Sequence, residues 1–264
     1  MAAAILYDDV IAGAVFIGDL GTAATGTMPL SNLADPQPRV RTRWAGGVAS
    51  IYIDLGAEKV VACLALISTN LEGSADVQWR FGNDAGFSFN EYDTGAVFAV
   101  TSAAANGNVI LVNPTSASGR YMLIDIANIG SGVLDIGRIV AGPLWRLRYA
   151  PAYGMEEGRQ MLDRRDRNEL TGAEFPVKAV MNPRTTRFNL PLITTAEATA
   201  EHRAILDTLG ATGDALWVPN DALSQSELNR RCIWGGVAQP GSAAVAARSN
   251  FIAHSRGFTM TERG

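Results

Sequence analysis

The chain has 264 residues, 47% of them hydrophobic and 18% charged, with a formal net charge of −4. That length suits one large domain or two of ordinary size, and the apolar fraction excludes a disordered chain. The sequence pI of about 5.3 argues against a general nucleic-acid binder, which shows a basic footprint.

The basic residues are almost all arginine, since Lys59 and Lys178 are the only lysines among 22 Lys and Arg residues. The longest apolar stretches, 10–18 and 60–67, fall well short of the ~20 residues of a spanning helix. The start, MAAAILYDD, has no positive region, so no secretory signal is read there. Cys63 and Cys232 lie in apolar, strand-like runs and are expected as small core residues; a disulfide across the two halves has no further support. A soluble protein made in a reducing compartment is the expectation.

Strand signals dominate the first half. Ile51, Ile53 and Leu55 alternate with polar residues in IYIDLG, and VVACLALI at 60–67 is apolar on both faces, which predicts a central strand covered on two sides. Ala75, Val77, Trp79 and Phe81 alternate with Asp76, Gln78 and Arg80, the pattern of a half-buried antiparallel strand. Met122, Ile124 and Ile126 repeat it in RYMLIDIAN. Asn, Gly and Pro punctuate the connections, and short strands at this spacing predict a β-sandwich. A charged, glycine-rich stretch at about 142–172 then marks a boundary, its charge runs expected as a solvated face or an inter-subunit contact.

The second half is different in kind. Phe188, Leu190 and Leu192 alternate in TTRFNLPLI, and Thr194 with Glu197 forms a capping box for one helix that Gly210 stops. Ala198, His202, Ile205 and Leu209 share one face of that helix. GDALWVP, RRCIWGGV and SNFIAHSRGFTMTE return to strand patterns, so a smaller β-rich domain with one packed helix is expected.

The search for enzyme chemistry is mostly negative. His202 and His254 are the whole supply of imidazole; His202 reads as a core-edge residue, and His254 has no acidic or cysteine neighbour at motif spacing. HExxH, CxxC, GxSxG, P-loop and strand-following GxGxxG motifs are all missing. The expectation is therefore no enzyme, no catalytic residues, no cofactor and no metal. Asn83, Asp84, Asn90, Glu91 and Asp93 gather oxygen ligands of the kind calcium takes, but their spacing fits no EF-hand and acidic loops are ordinarily solvated. Aromatics offer a second constellation. Phe87, Phe89 and Tyr92 cluster in one loop region and form the candidate platform for a glycan, since sugar C–H faces pack on rings. Trp44, which follows RVRTR, and Trp79 read as core anchors.

The order of segments carries a resemblance. SNLADPQPRVRTRWAG, then SIYIDLG, then VVACLALISTNLEGSADVQWRFGN, is similar to the start of a discoidin-type, galactose-binding-like β-sandwich, and RYMLIDIANIGSGVLDIGRIVAGPLW resembles its closing strands. The pattern N-L-x-D-P before the Trp and I-G-R-x-x-A-G-P-x-W after it is similar to tail-tip and baseplate proteins of long-tailed bacteriophages. The resemblance implies a mainly β protein: a galactose-binding-like jelly roll at 1–145, a linker at 146–172, and at 173–264 a smaller β-sandwich with one helix, of the tail-tube or distal-tail kind.

The function so implied is a structural component of the virion's tail tip, made in the host cytoplasm. It would form a ring of its own copies, contact tail tube, hub and other tail-tip proteins, and present a carbohydrate-binding-like domain to a host surface glycan. Nucleic-acid binding and membrane insertion are not expected. The alternative is a free-standing, lectin-like carbohydrate-binding protein; an enzyme carrying an accessory sandwich comes third. No motif carries the family's sugar-binding residues onto this chain.

Overall fold

The alternating runs of the sequence become antiparallel ladders. The structure, a computed structural model, describes residues 2–19, 28–46, 48–71, 73, 75–84, 92–95, 97–98, 107–129, 132–151, 155–160, 164–167, 171, 174–177, 183–194, 196–197, 200–210, 213–238, 244–248 and 251–263. β1 (Ala4–Leu6), a 3-10 turn (Val10–Gly13), β2 (Val15–Asp19), a second 3-10 turn (Leu30–Ala34) and β3 (Thr42–Ala45) lead into the 19-residue β4 (Ala49–Ile67). β5 (Asp76–Gly82), the short β6 (Tyr92–Asp93) and β7 (Val97–Phe98), and the long β8 (Val109–Ala127) follow. β9 (Val133–Ile136), β10 (Arg138–Gly142) and β11 (Trp145–Arg146) close the first half.

The second half holds β12 (Glu156–Arg159), β13 (Arg164–Arg167), β14 (Glu174–Val177), β15 (Arg184–Ile193), helix α1 (Glu201–Leu209) and β16 (Asp214–Val218). Helix α2 (Gln225–Arg231), β17 (Ile233–Ala238), β18 (Ala244–Arg248) and β19 (Phe251–Glu262) complete it.

Two sheets organise the molecule. The first runs β10-β4-β8-β5-β6, with β2 on β4 and β7 on β5; the second runs β11-β1-β16-β17-β19-β15-β12, with β18 on β19. The inner face of the first sheet buries Ile51, Ile53, Trp79, Phe81, Ile124 and Ile126 under the β3–β9 pair, which supplies Trp44, Leu134 and Ile136. The sequence phasing of these strands is what the structure shows, and Trp44 and Trp79 are fully buried. Each large side chain buried there contributes about 1.5–3 kcal/mol of hydrophobic free energy.

Residues 63–67 of β4 are covered on both sides, as their continuous apolar run predicts. Leu64 and Leu66 point into the sandwich core, whereas Cys63, Ala65 and Ile67 meet Leu216, Val218 and Trp234 of the second sheet. Both cysteines are free and buried in this inter-sheet layer. Burial pushes the Cys63 thiol up to about 12 and Cys232 well above its ordinary value, so neither is an accessible nucleophile.

The far face of the second sheet carries its own core, in which Phe188 stacks on Trp217 at 3.9 Å and on Phe258 at 5.3 Å. Ile205 of α1 packs into it. The expected capping box precedes this helix: Thr194 Oγ1 accepts from the Glu197 N–H at 3.2 Å, and the Glu197 carboxylate accepts from the Thr194 N–H at 3.0 Å. Gly210, with φ +54, caps the end through its N–H to Leu206 O. Ala198 and the side chains of Leu192, His202 and His254 lie outside the described residues.

Three features go beyond the sequence reading. β1 pairs with β11 and β16, so the first residues of the chain belong to the second sheet. The stretch expected as a linker contributes β12, whose exposed Glu156, Glu157 and Arg159 suit a sheet edge, and β13, which pairs with β14. A second helix, α2, joins the one expected. At seven residues it is too short to show an apolar stripe, and its signal is Ser224 Oγ accepting from the Glu227 N–H at 3.4 Å.

α2 also fastens the two units. Asn229 Oδ1 accepts from the Ile110 N–H at 2.8 Å, while Gln225 Nε2 donates to Ile110 O at 2.6 Å, so two side chains satisfy the backbone of β8 as a neighbouring strand would. Arg138, buried on β10, donates to Asp9 at 2.6 Å and to Ala34 O at 2.9 Å and lies 5.0 Å from the Trp234 ring. Among the described residues, no helix is long and apolar enough to cross a membrane.

Candidate functional site

On the first sheet, polar and apolar residues alternate, so the inner face fixes which side chains point outward. Opposite the core, β4 presents Ser50, Tyr52 and Asp54; β8 presents Tyr121, Leu123 and Asp125; β5 presents Gln78 and Arg80. The register sets Tyr52 opposite Leu123 and Tyr121 opposite Asp54. The two tyrosines are thus diagonal neighbours, with backbones roughly 7–8 Å apart. Leu123 is buried beneath this row.

Two ion pairs flank the rings. Arg120 grips Asp54 through Nε and Nη2, both at 2.7 Å, and its guanidinium lies 5.0 Å from the centre of the Tyr121 ring. Arg80 and the Ser50 hydroxyl both donate to the Asp125 carboxylate. The Arg120 hydrogen bond holds the Asp54 carboxyl below the usual range. Burial raises the Tyr52 phenol, Asp125 adds to that and Arg80 opposes it, which places this hydroxyl in the field of the second ion pair. Both pairs are partly solvent-exposed, with side-chain accessibilities of 31% and 25% for Arg80 and Asp125 and 43% and 18% for Arg120 and Asp54.

Two half-buried rings between guanidinium donors and carboxylate acceptors form an amphipathic platform. Rings pack on the C–H faces of a pyranose, and a hydroxyl, which both donates and accepts, can bridge an Arg–Asp pair. The same arrangement is poor for hydrolysis. A general acid needs a carboxyl whose pKa is raised, whereas Asp54 is held ionised by its arginine.

Of the residues singled out from the sequence, Phe87 and Phe89 lie outside the described residues, as do Asn90 and Glu91. Tyr92 is half-buried, its ring edge against Trp79 at 5.0 Å, with the phenol raised by burial and by Asp93. Its ring is committed to covering the core. Asp93 Oδ1 accepts from Gln78 Nε2 and from the Gly95 N–H, both at 2.8 Å. Among the described residues, no group of three or more His, Cys, Asp or Glu could hold a metal ion.

The residues of the open face were missed by sequence reasoning. Tyr52 and Tyr121 are spaced like any outward strand residues, and only the register brings them together. The available signal was the repeated Tyr–x–Asp and Tyr–x–x–x–Asp within IYID and RYMLID.

No protein-family model matches the chain, and no curated protein matches it. Solved structures do. One is the module CBM32-1 from a family 31 glycoside hydrolase of Clostridium perfringens, with TM-score 0.43 and 13% identity, over 52% of this chain and 99% of that one. A second is chitosan-binding module 1, derived from a chitosanase/glucanase of Paenibacillus sp. IK-5, with TM-score 0.39 and 16% identity over 52% and 99%. A third is the lectin domain of lectinolysin complexed with Lewis B antigen, with TM-score 0.36 and 13% identity over 54% and 98%. The chemistry of the open face rests on its own residues.

Proposed function

We propose that this chain is a non-catalytic carbohydrate-binding protein whose first β-sandwich holds a glycan on the open face of β4, β8 and β5. The observation that carries the reading is the diagonal pair Tyr52 and Tyr121 set between the Arg120–Asp54 and Arg80–Asp125 pairs. Solved modules named for chitosan binding and for a Lewis B complex share the general fold. The test is a screen of the intact chain against a panel of neutral oligosaccharides, followed by titration of any hit. Tyr52→Ala and Tyr121→Ala should each weaken a captured glycan by roughly tenfold or more, about 1.4 kcal/mol, without loss of fold. Unchanged affinity in both variants would remove the face from the site.

A second reading keeps the assembly role implied by the sequence resemblance, a ring-forming component of a phage tail tip within the virion. The observation on its side is that the second sheet ends at β12, an exposed strand carrying Glu156, Glu157 and Arg159, whose charges could meet complementary charges on a neighbouring copy. Light scattering after size exclusion tests it: a closed oligomer supports the ring, and a monomer at high concentration counts against it.

A further inference from the structure

We propose a second site on the same sandwich, at the corner made by Arg41 and Arg43, which takes the carboxylate or sulfate groups of an acidic polysaccharide. The proposal rests on the glycan-binding reading above but on different residues. The motif RVRTR at 39–43 leads into β3, and its arginines play no part in the open face. Arg43 stands opposite Asp135 of β9 and takes both carboxylate oxygens, through Nε at 2.6 Å and Nη2 at 2.7 Å. That fork holds the Asp135 carboxyl below the usual range.

Among the described residues, Arg41 has no carboxylate to itself. Its Nη1 comes only within 3.9 Å of the same Asp135, and its Nη2 donates to the neutral Ser68 hydroxyl at 3.2 Å. Two guanidiniums therefore share one carboxylate, and one positive charge is left over. Both arginine side chains are 44% exposed, whereas that of Asp135 is 8% exposed. On the open face, by contrast, each guanidinium has its own carboxylate. The uneven count makes the corner an acceptor for one further anion, and a planar guanidinium meets a carboxylate or sulfate with two parallel hydrogen bonds.

The corner is held in place before any ligand arrives. Asn32 Nδ2 donates to Arg41 O at 2.8 Å. Asn70 Oδ1 accepts from the Asp135 N–H at 2.7 Å, and Asn70 Nδ2 donates to Val133 O at 2.8 Å. Gly137, next to β9, lets the chain approach Pro38 so closely that an added Cβ would stand 2.1 Å from Pro38 O. The backbone that carries these side chains is thus ordered in advance, which lowers the cost of binding.

Charge density selects the class of polyanion. The chain as a whole carries a net charge of −4, which repels a dense polyanion such as duplex DNA, with one charge per roughly 1.7 Å of helix axis. A glycan of acidic sugars carries its charges more sparsely along the chain than duplex DNA, between hydroxyl-bearing rings, and one uncompensated guanidinium can capture one of them.

Affinity electrophoresis of the intact chain decides the matter, in gels containing polygalacturonate, heparin, a neutral β-glucan or no polymer, with duplex DNA as a mobility-shift control. The expected result is retardation by polygalacturonate or heparin that fades with added salt. Arg41→Gln should weaken it at least roughly tenfold, with partial retention in Arg41→Lys. Polygalacturonate alone would mark a carboxylate site, and heparin alone a sulfate site. No retardation by either, equal retardation of wild type and Arg41→Gln, or tighter binding to DNA would each overturn the proposal. If melting curves show that Arg41→Gln does not fold, retardation indifferent to salt in wild type overturns it instead. Acid-glycan binding that survives Tyr52→Ala, beside neutral binding that survives Arg41→Gln, separates this site from the open face; failure of either arm leaves the other standing.

Discussion

The outer face of β4 is two surfaces on one strand. At 63–67 it presents Cys63, Ala65 and Ile67, and the second sheet packs on them; at 50–54 it presents Ser50, Tyr52 and Asp54, which stay partly exposed. Irregularities in the β4–β8 register between Asp54 and Lys59 and between Val61 and Cys63 separate the two stretches. The covered half is all small or aliphatic, which suits close packing of sheet on sheet. The open half combines rings with paired charges, a combination that stays soluble while offering a ligand both apolar and polar contacts. A sheet face that packs can thus be told from one that stays partly exposed by what stands at its outward positions.

Substitutions bearing on both halves of the face test this contrast. Trp79→Ala, which removes the core side chain beneath the open face, should destabilise by roughly 3–5 kcal/mol in denaturant melts. A near-zero change would mean that the inward and outward sets are exchanged. Asn229→Ala leaves the buried Ile110 N–H without its acceptor and should cost about 1–3 kcal/mol. Hydrogen exchange at Ile110 should accelerate with it, and unchanged protection would deny that α2 fastens the covered half.

A smaller effect follows from pH. The carboxyls of Asp54 and Asp135 are lowered in the folded chain from an ordinary value of 3.8, through hydrogen bonds from Arg120 and Arg43 respectively. An acid with a lowered folded pKa binds fewer protons than in the unfolded chain, so its contribution is fully present above the unfolded value and is lost as pH falls through the folded one. Melting temperature should therefore fall as pH is lowered below 3.8, less steeply in Asp54→Asn than in wild type. The smallest effect is on the platform itself: Tyr52→Ala should change stability by only about 0.5–1 kcal/mol, as a half-buried surface residue does. A loss as large as that of Trp79→Ala would make Tyr52 part of the core.

Much of the fold is legible in the chain. Val77, Trp79 and Phe81 alternate because one face of their strand meets the core, and the unbroken run at 63–67 follows from two covered faces, whereas Val60 at its start is exposed. The capping box at Thr194 is written in two residues three apart. β1 and α2 were not legible, since three residues of AIL and seven of QSELNRR hold too few periods to declare a partner. The open face was hidden for another reason: a tyrosine at an outward strand position looks the same whether or not another stands diagonally beside it.

The mainly β character, the inward residues, the capping box at Thr194, the stop of the 201–209 helix at Gly210 and the arginine-rich motif before Trp44 are all readable from the chain alone, although that helix starts at Ala200 without a side-chain cap. Those are local properties, set by side-chain period and by hydrogen bonds between near neighbours. Three arrangements come from the folded chain: the N-terminal strand joins the second sheet, Tyr52 and Tyr121 stand diagonally on neighbouring strands, and Arg41 and Arg43 share a single aspartate. Pairings of this kind join residues far apart in the chain, and a ladder's register is fixed by the burial of its whole inner face rather than by the outward residues it brings together.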